Sequence, residues 1–523
     1  MQLKTPGVYI VEQDAFPNTV IEVPTAIPVF LGYTEKAVDG AVPKAGIPTC
    51  IGSLLDYVRI FGGPPVPRFS LAPSVGQETL TAALAQQFFL YHGVKLYFMN
   101  GGGPAYVLSV GTFASVKANG IQASDFMPEP DPAIDREAPF DALEKVPEVT
   151  LIVAPDSTLL DSADDCYRFW QAALQHCSTM QSRMALIDIR GGGTKRSHDP
   201  DGDVISGKND GFREKIGSNF LNYGAAYYPW LNFDVVDAGS ISYDNLTDAG
   251  LAVLADALMA ELAAMKPQPS VQMQVRMSTL YAAIRQRLPA DAAPLPAGTE
   301  SRTAVIARGH QQLMQVSPLY QRVAADMLTL ANQLPPACAM AGVYAQTDAN
   351  SGVWMAPANT SIVGAVSPMV DISQDDQEDL NMPLDGRAVN AIRTIPTRGL
   401  VVWGARTLDG NSDDWRYINV RRTLVMMEQS IKNAMLAYIF APNVATTWVA
   451  VQNMISTFLI NLWAQGALAG AKAQDAFSVQ VGLNSTMSSD DILNGYMRVS
   501  VRVALVHPDE FIVLTFQQQQ PVS

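Results

Sequence analysis

Two apolar stripes dominate the last third of the chain. Leu424, Met427, Ile431, Met435 and Tyr438 recur at the three- and four-residue steps of one helix face, and Trp448, Val451, Ile455, Phe458 and Leu462 repeat the pattern after Pro442-Asn443 breaks the run. Both stripes read as core faces. Tyr496–Val506 then alternates, with Val499, Val501, Val503 and Leu505 on one side and Arg498, Ser500 and Arg502 on the other, which predicts a half-buried antiparallel strand. Phe511–Phe516 has no alternation, so both of its faces should be covered. At the other end, Val8–Val11 reads as a short strand, with Val8 and Ile10 facing one way and Tyr9 and Val11 the other, tethered to the next apolar run by the polar stretch Glu12–Asn18. It is either an edge strand of its own domain or a strand lent to a neighbour. Exposed strand edges are a liability in a monomer and an asset where another chain's sheet accepts them.

Between the ends the periodicity changes twice. Leu54–Gly63 predicts a short helix closed by glycine. Leu80–Leu90 is expected to be a helix, Lys95–Met99 a buried strand, and the acidic, Pro-rich Ala123–Glu148 an exposed loop. Val149–Ala154 and Met184–Ile189 flank a helical stretch, Asp161–Met180, a β-α-β pattern that implies a parallel sheet. Ala225–Leu231 reads as an aromatic strand end halted by Pro229. From Leu246 to Leu334 the spacing is helical, and two or three helices fit, interrupted by the Pro- and Ala-rich Leu288–Gly298.

Composition narrows the class. The 523 residues leave room for roughly three domains. Charged residues are 16%, below the usual ~25%, which fits large cores or surface hidden in an assembly. A net charge of −15 argues against a general nucleic-acid binder, which needs a basic face. Cys50, Cys166, Cys177 and Cys338 are too few and scattered for a disulfide framework. The opening MQLKTPGVYI lacks the basic and apolar regions of a signal peptide, and the most apolar window, Trp448–Leu468, is interrupted by polar residues, so no membrane insertion is expected.

Candidate chemistry is sparse. The five histidines form no HExxH or other close ligand pair, and Cys166 and Cys177 lie about 16 Å apart along one helix, too far for one tetrahedral metal. Gly191–Arg196 (GGGTKR) lacks the spacer and GK[ST] of a P-loop and reads as a turn. Asp371–Asp379 (DISQDDQED) lacks the EF-hand glycine and terminal glutamate, and a solvated acidic loop is expected. No GxSxG elbow occurs. No metal, cofactor or catalytic residue is assigned; a hydrolase with its triad dispersed along the α/β region is the reading from another class.

Several long strings share one resemblance. TPGVY at Thr5–Tyr9, PTAIPVFLGYT at Pro24–Thr34, SLLDYVRIFGG at Ser53–Gly63, Thr81–Met99, Val149–Pro155 and YYPW within Ala225–Leu231 appear in order. They continue with AGVYAQTDANSGVWMAPAN at Ala341–Asn359, VNAIRTIPTRGLVVWGARTL at Val389–Leu408, WRYINVRR at Trp415–Arg422, APN at Ala441–Asn443, GALAG at Gly466–Gly470, AF at Ala476–Phe477 and PDEFI at Pro508–Ile512. Together they closely resemble contractile tail sheath proteins of phage tails, R-type pyocins and extracellular contractile injection systems. The match is nearly end to end and weakest over 123–148 and 246–334. Gln346 and Met355 stand where the family usually has basic residues.

The resemblance implies an α/β (α+β) multidomain fold, with a conserved sheath core built from both chain ends and an outer α/β domain carrying the helical insertion. The expected division is an N-terminal arm at 1–24, the outer domain at 25–365 with its insertion at about 246–334, the core at 366–510 and a C-terminal arm at 511–523. Subunits would stack as hexameric rings, a six-fold helical homo-oligomer around an inner tube protein, meeting baseplate and terminator or cap proteins. Val8, Tyr9, Ile10 and Val11, with Phe511, Ile512, Val513, Leu514 and Phe516, would be the inter-subunit arm strands. Lys472 and Asp475 are expected tube contacts. Arg421 and Arg422 would instead serve there, or pair internally with Asp413 and Asp414. Assembly in the bacterial cytoplasm, as part of a phage tail or a phage-tail-like particle released outside the cell, would follow. The alternative is a non-contracting tail or shell component with the same core.

Overall fold

The computed structural model describes residues 19–73, 80–128, 138–265, 267–285 and 301–511. The chain forms two compact units. Of the described residues, the smaller gathers 19–25, Thr347–Ala356 and 417–511; the larger takes its residues from Ala26–Gln346 and Pro357–Arg416.

The larger unit is built on an eight-stranded sheet. In spatial order the strands are Gly399–Trp403, Asn390–Ile395, Gly224–Tyr228, Met184–Asp188, Leu151–Val153, Pro28–Thr34, Ala105–Thr112 and Thr49–Ile51. The inner six run parallel, and the strand at each edge is antiparallel to its neighbour. The strands Pro28–Thr34, Leu151–Val153, Met184–Asp188 and Gly224–Tyr228 are buried at every residue, as a sheet covered on both faces requires. The predicted β-α-β unit is present. Its crossover helix, Ala163–Met180, is capped by the Ser162 side chain and buries Trp170, Phe169 and Tyr167. The expected glycine-closed helix is Leu54–Phe61, ending at Gly62 with φ of 91°.

The helical insertion comprises four described helices, Asp248–Ala264, Val271–Arg285, Arg302–Val316 and Pro318–Ala331, rather than two or three; Leu288–Gly298 lies outside the described residues. Its neck is narrow. Leu231–Phe233 pairs antiparallel with Gln333–Leu334, so the chain leaves and re-enters at adjacent strands. Asn332 bonds across the neck, its Oδ1 accepting from the Val235 and Val236 amides.

Four expectations are corrected. Leu80–Gln86 is a strand, antiparallel to Arg68–Pro73, with Leu80, Ala82, Leu84 and Gln86 half-buried and the residues between them exposed. Its short alternation was outweighed in the sequence by helix-favouring Leu, Ala and Gln, and pairing decided the matter. Lys95–Met99 is the end of a helix, Leu90–Met99, because Asp156 accepts the Phe89 amide at 2.6 Å and so starts a helix where no local cap exists. Residues 123–148 hold two short helices, Ala123–Phe126 and Pro139–Glu144, which bury Phe126 and Leu143. Residues 366–416, expected in the core at 366–510, belong to the larger unit, where Asn390–Ile395 pairs with Gly224–Tyr228 and extends the sheet.

The acidic segment is likewise not a solvated loop. It forms the helix Gln374–Asn381 with a Ser373 capping box, and its carboxylates meet cations of the same unit. Asp379 accepts from Arg196 at 2.5 Å and from Arg213 at 2.9 Å, and Asp376 faces His198 at 3.0 Å. Arg196, from the GGGTKR turn, also pairs with buried Asp203 at 3.0 Å. That turn is therefore a packed support.

Two carboxylates at the carboxyl ends of central strands are fully buried, and both are spent on helix starts. Asp156 accepts the amides of Tyr33 and Phe89. Asp188 accepts the amide of Ala337, first residue of the helix Ala337–Ser351, at 2.8 Å, while its Oδ2 has no hydrogen-bond partner among the described residues. Burial pushes each carboxyl up to about 7, against backbone bonds that favour the anion. Buried His92 and His176 are pushed down to about 4, chiefly by desolvation.

The signs differ. A raised carboxyl contributes stability that is complete below its unfolded value near 4 and is lost as pH rises through 7. A lowered histidine contributes stability that is lost as pH falls from about 6.5 toward 4. Asp188→Asn is therefore expected to gain stability relative to the parent chain as pH rises from 5 to 7.5, by up to ~1.4 kcal/mol per pH unit. Thermal unfolding of the two proteins in parallel checks this, and a Tm difference constant across that range would refute it.

Candidate functional site

The smaller unit has little that could act chemically and much that could join to another chain. Its frame is two helices, Ile418–Met435 and Ala445–Ala464. The second buries Val451, Ile455, Phe458 and Leu462 as the spacing predicted, together with Met454 and Leu459. On the first, Met427 is buried and Ile431 and Met435 pack partly against the same core, as does Tyr438 in the turn Leu436–Tyr438 that follows. Gly466 ends the second helix with φ of 88°; its amide bonds Trp463 O and the next amide, of Ala467, bonds Leu462 O. That is the paired closure of a left-handed glycine C-cap, which explains the first glycine of GALAG. A Cβ on Gly470 would stand 2.9 Å from the Ala476 amide nitrogen, so glycine lets the two stretches of backbone approach there.

The chain then forms a two-stranded antiparallel sheet, Phe477–Val481 against Val499–Val503. Val479 is buried on the second helix, and Gln452 of that helix donates to Val479 O at 3.0 Å. Val499, Val501 and Val503 face inward as predicted but are only half-buried. Among the described residues the sheet stops at two strands. A pair of strands is marginal by itself, and strand edges carry backbone donors and acceptors that a further strand can meet, although on the Phe477–Val481 edge the Val479 carbonyl is taken by Gln452.

The chain ends lead to this unit. Val20 and Val23 pack partly against its core. The Val23 amide donates to the buried Ser430 Oγ at 3.0 Å. Val8, Tyr9, Ile10 and Val11 lie outside the described residues, as do Ile512, Val513, Leu514 and Phe516; Phe511 is 68% exposed.

The four expected tube contacts separate. Lys472 and Asp475 are exposed, at the cap and within the short helix Ala473–Ala476. Arg421 and Arg422 are each only 5% exposed, so neither presents a surface charge. Arg422 does pair internally, but with Asp348 and not with Asp413 or Asp414; Asp413 is held by Arg416. Asp348 sits in the matched string Ala341–Asn359. The sequence signal was present in two strings, and nothing in either pointed to the other.

Among the described residues, no three His, Cys, Asp or Glu side chains gather as a metal site, and no helix is long and apolar enough to cross a membrane. His176 lies 2.7 Å from Arg183, and Cys166 and Cys177 are buried and joined in no disulfide.

The larger unit spends its buried carboxylates on helix starts, and the smaller unit carries a two-stranded sheet. Residues 411–519 match the phage tail sheath C-terminal domain family. The chain is similar along its length to solved contractile sheath structures, and together these matches support a contractile tail sheath family. One such structure is the helical sheath of the anti-feeding prophage in its contracted state, at 28% identity and a TM-score of 0.57 over 99% of this chain and 100% of that one. A chain of the same particle's six-fold symmetrised baseplate matches at 27% identity and a TM-score of 0.57, covering 99% of this chain and 100% of its own. The contracted sheath complex of PVC, an extracellular contractile injection system, matches at 25% identity and a TM-score of 0.57 over 99% of both chains. No curated protein sequence matches.

Proposed function

We propose that the chain is the repeating subunit of a contractile sheath, stacked as hexameric rings around an inner tube, and that its contraction drives the tube through a target envelope. The observation that carries this is the likeness, over 99% of the chain, to a helical sheath in its contracted state. The open two-stranded sheet supports it. In this reading Val8–Val11 and Phe511–Phe516 add strands to neighbouring subunits' sheets by β-augmentation. The smaller unit is the assembly core. The arms act as hinges that keep rings linked while the rigid units move. The energy is conformational, stored in a metastable extended array, so no nucleotide is consumed.

Self-association, the tube, baseplate and terminator or cap proteins are the partners proposed. Lys472 and Asp475 remain proposed tube contacts. Assembly in the bacterial cytoplasm precedes use in a phage tail or release as a phage-tail-like particle.

Negative-stain electron microscopy of the purified chain, alone and co-expressed with tube and baseplate proteins, is the test. Hollow, ridged tubes with six-fold end views are expected. A chain that stays monomeric even with those proteins would overturn the reading. Tubes that keep a single ring spacing under every trigger would favour a non-contracting shell.

A further inference from the structure

Arg422 and Asp348 form the best-enclosed ion pair of the smaller unit, with side chains 4% and 9% exposed. The guanidinium grips the carboxylate with two prongs, Nη1 to Oδ1 at 2.8 Å and Nη2 to Oδ2 at 2.6 Å. Nη2 also donates to the backbone carbonyl of Thr25 at 3.0 Å. The Thr25 hydroxyl donates to the same carboxylate. Two residues upstream, the Val23 amide is tied to Ser430. Arg422 and Ser430 lie eight residues apart on one helix, about 12 Å along its axis, so the root of the amino-terminal arm is held at two points.

Burying such a pair gains little over apolar residues of the same volume, and what it does supply is a fixed geometry. The planar fork of arginine gives that geometry direction, which a lysine would not. Beside the pair lies a cleft of about 510 Å³, lined by Glu22, Thr25, Asp348, Ser351, Trp354 and Gln465. There is room for the root to lie elsewhere, so packing alone does not confine it.

We propose that Arg422 is a positioning residue for the amino-terminal arm: its clamp on Asp348 and Thr25 fixes where and in which direction the arm leaves the core, so that the arm strand is presented to a neighbouring subunit. The clamp's effect on assembly rests on the sheath reading; the clamp itself does not.

The test uses the full chain and the double variant Arg422→Met with Asp348→Leu, which removes the clamp without leaving a buried charge unpaired. Arg422→Lys is the conservative control. Glutamyl endopeptidase cleavage after Glu22 reads the release of the root, with Tm as the check on folding and tube yield as the check on positioning. The expected result is cleavage after Glu22 at least tenfold faster in the double variant, a Tm within a few degrees of the parent, and tube yield reduced by tenfold or more. Arg422→Lys should fall between the two, and it carries the test if the double variant does not fold. Parental cleavage rates, or parental tube yield despite faster cleavage, would overturn the proposal. Faster cleavage in a protein whose parent forms no tubes even with tube and baseplate proteins would sink the sheath reading and leave the clamp standing.

Discussion

Removal of residues 1–11 is expected to yield a folded monomer that forms almost no tubes. The deleted segment contains Val8–Val11, and every described residue of both cores lies outside it. The contacts that hold the arm root, at Val23 and Thr25, remain. What is lost is a strand for another subunit's sheet. Four backbone hydrogen bonds at roughly 1 kcal/mol each would be lost per linkage. That is about a thousandfold in the association constant of one joint, repeated at every subunit. Circular dichroism and thermal unfolding should match the full chain, while sedimentation and electron microscopy should show polymer mass reduced tenfold or more. Normal tubes, or normal contraction of tubes made with partner proteins, would end the strand-exchange model.

Asn390→Ala should produce the largest loss of stability from a single polar substitution in the larger unit. Asn390 is 1% exposed and satisfies three backbone groups. Its amide donates to Ala226 O at 3.1 Å and Arg406 O at 2.8 Å, and its Oδ1 accepts the Arg406 amide at 2.8 Å. It thereby joins the Gly224–Tyr228 strand to the turn that follows Gly399–Trp403. Each orphaned buried group costs about 1–3 kcal/mol, and relaxation makes three less than additive, so a loss of about 3–5 kcal/mol is expected. Gly404 completes the arrangement, since a Cβ there would stand 2.8 Å from Asn390 Oδ1 and 3.0 Å from its Cα. Chemical denaturation measures the change. A loss below about 1 kcal/mol would mean that water replaces the amide and that the joint is not dry.

That site also shows how much the sequence carried. The string from Val389 to Leu408 was the strongest part of the family resemblance, yet its letters did not disclose why Asn390 and Gly404 stand where they do. They answer to each other across a turn and to Ala226, which is 164 residues away. Arg422 is the sharper case. Read in sequence, two adjacent arginines near Asp413 and Asp414 offered a surface charge or a local pair. In the structure Arg422 is buried against Asp348, 74 residues upstream, and Thr25, 397 residues upstream.

The sequence alone determined the elements whose periodicity is long and whose caps are local. The Ala163–Met180 crossover with its Ser162 cap, the helical insertion and the two helices that frame the smaller unit are of this kind. It also carried the resemblance to contractile tail sheath proteins, through long strings that appear in order. Tertiary structure decided the rest. It made Leu80–Gln86 a strand and Leu90–Met99 a helix, because the first found a partner in Arg68–Pro73 and the second a distant cap in Asp156. It moved 366–416 into the larger unit through one parallel strand pairing, and it turned Arg422 inward. A periodicity is a property of neighbouring residues and is written locally. A strand's partner, a cap supplied from elsewhere and a buried charge's counterion are chosen only when the chain is brought together.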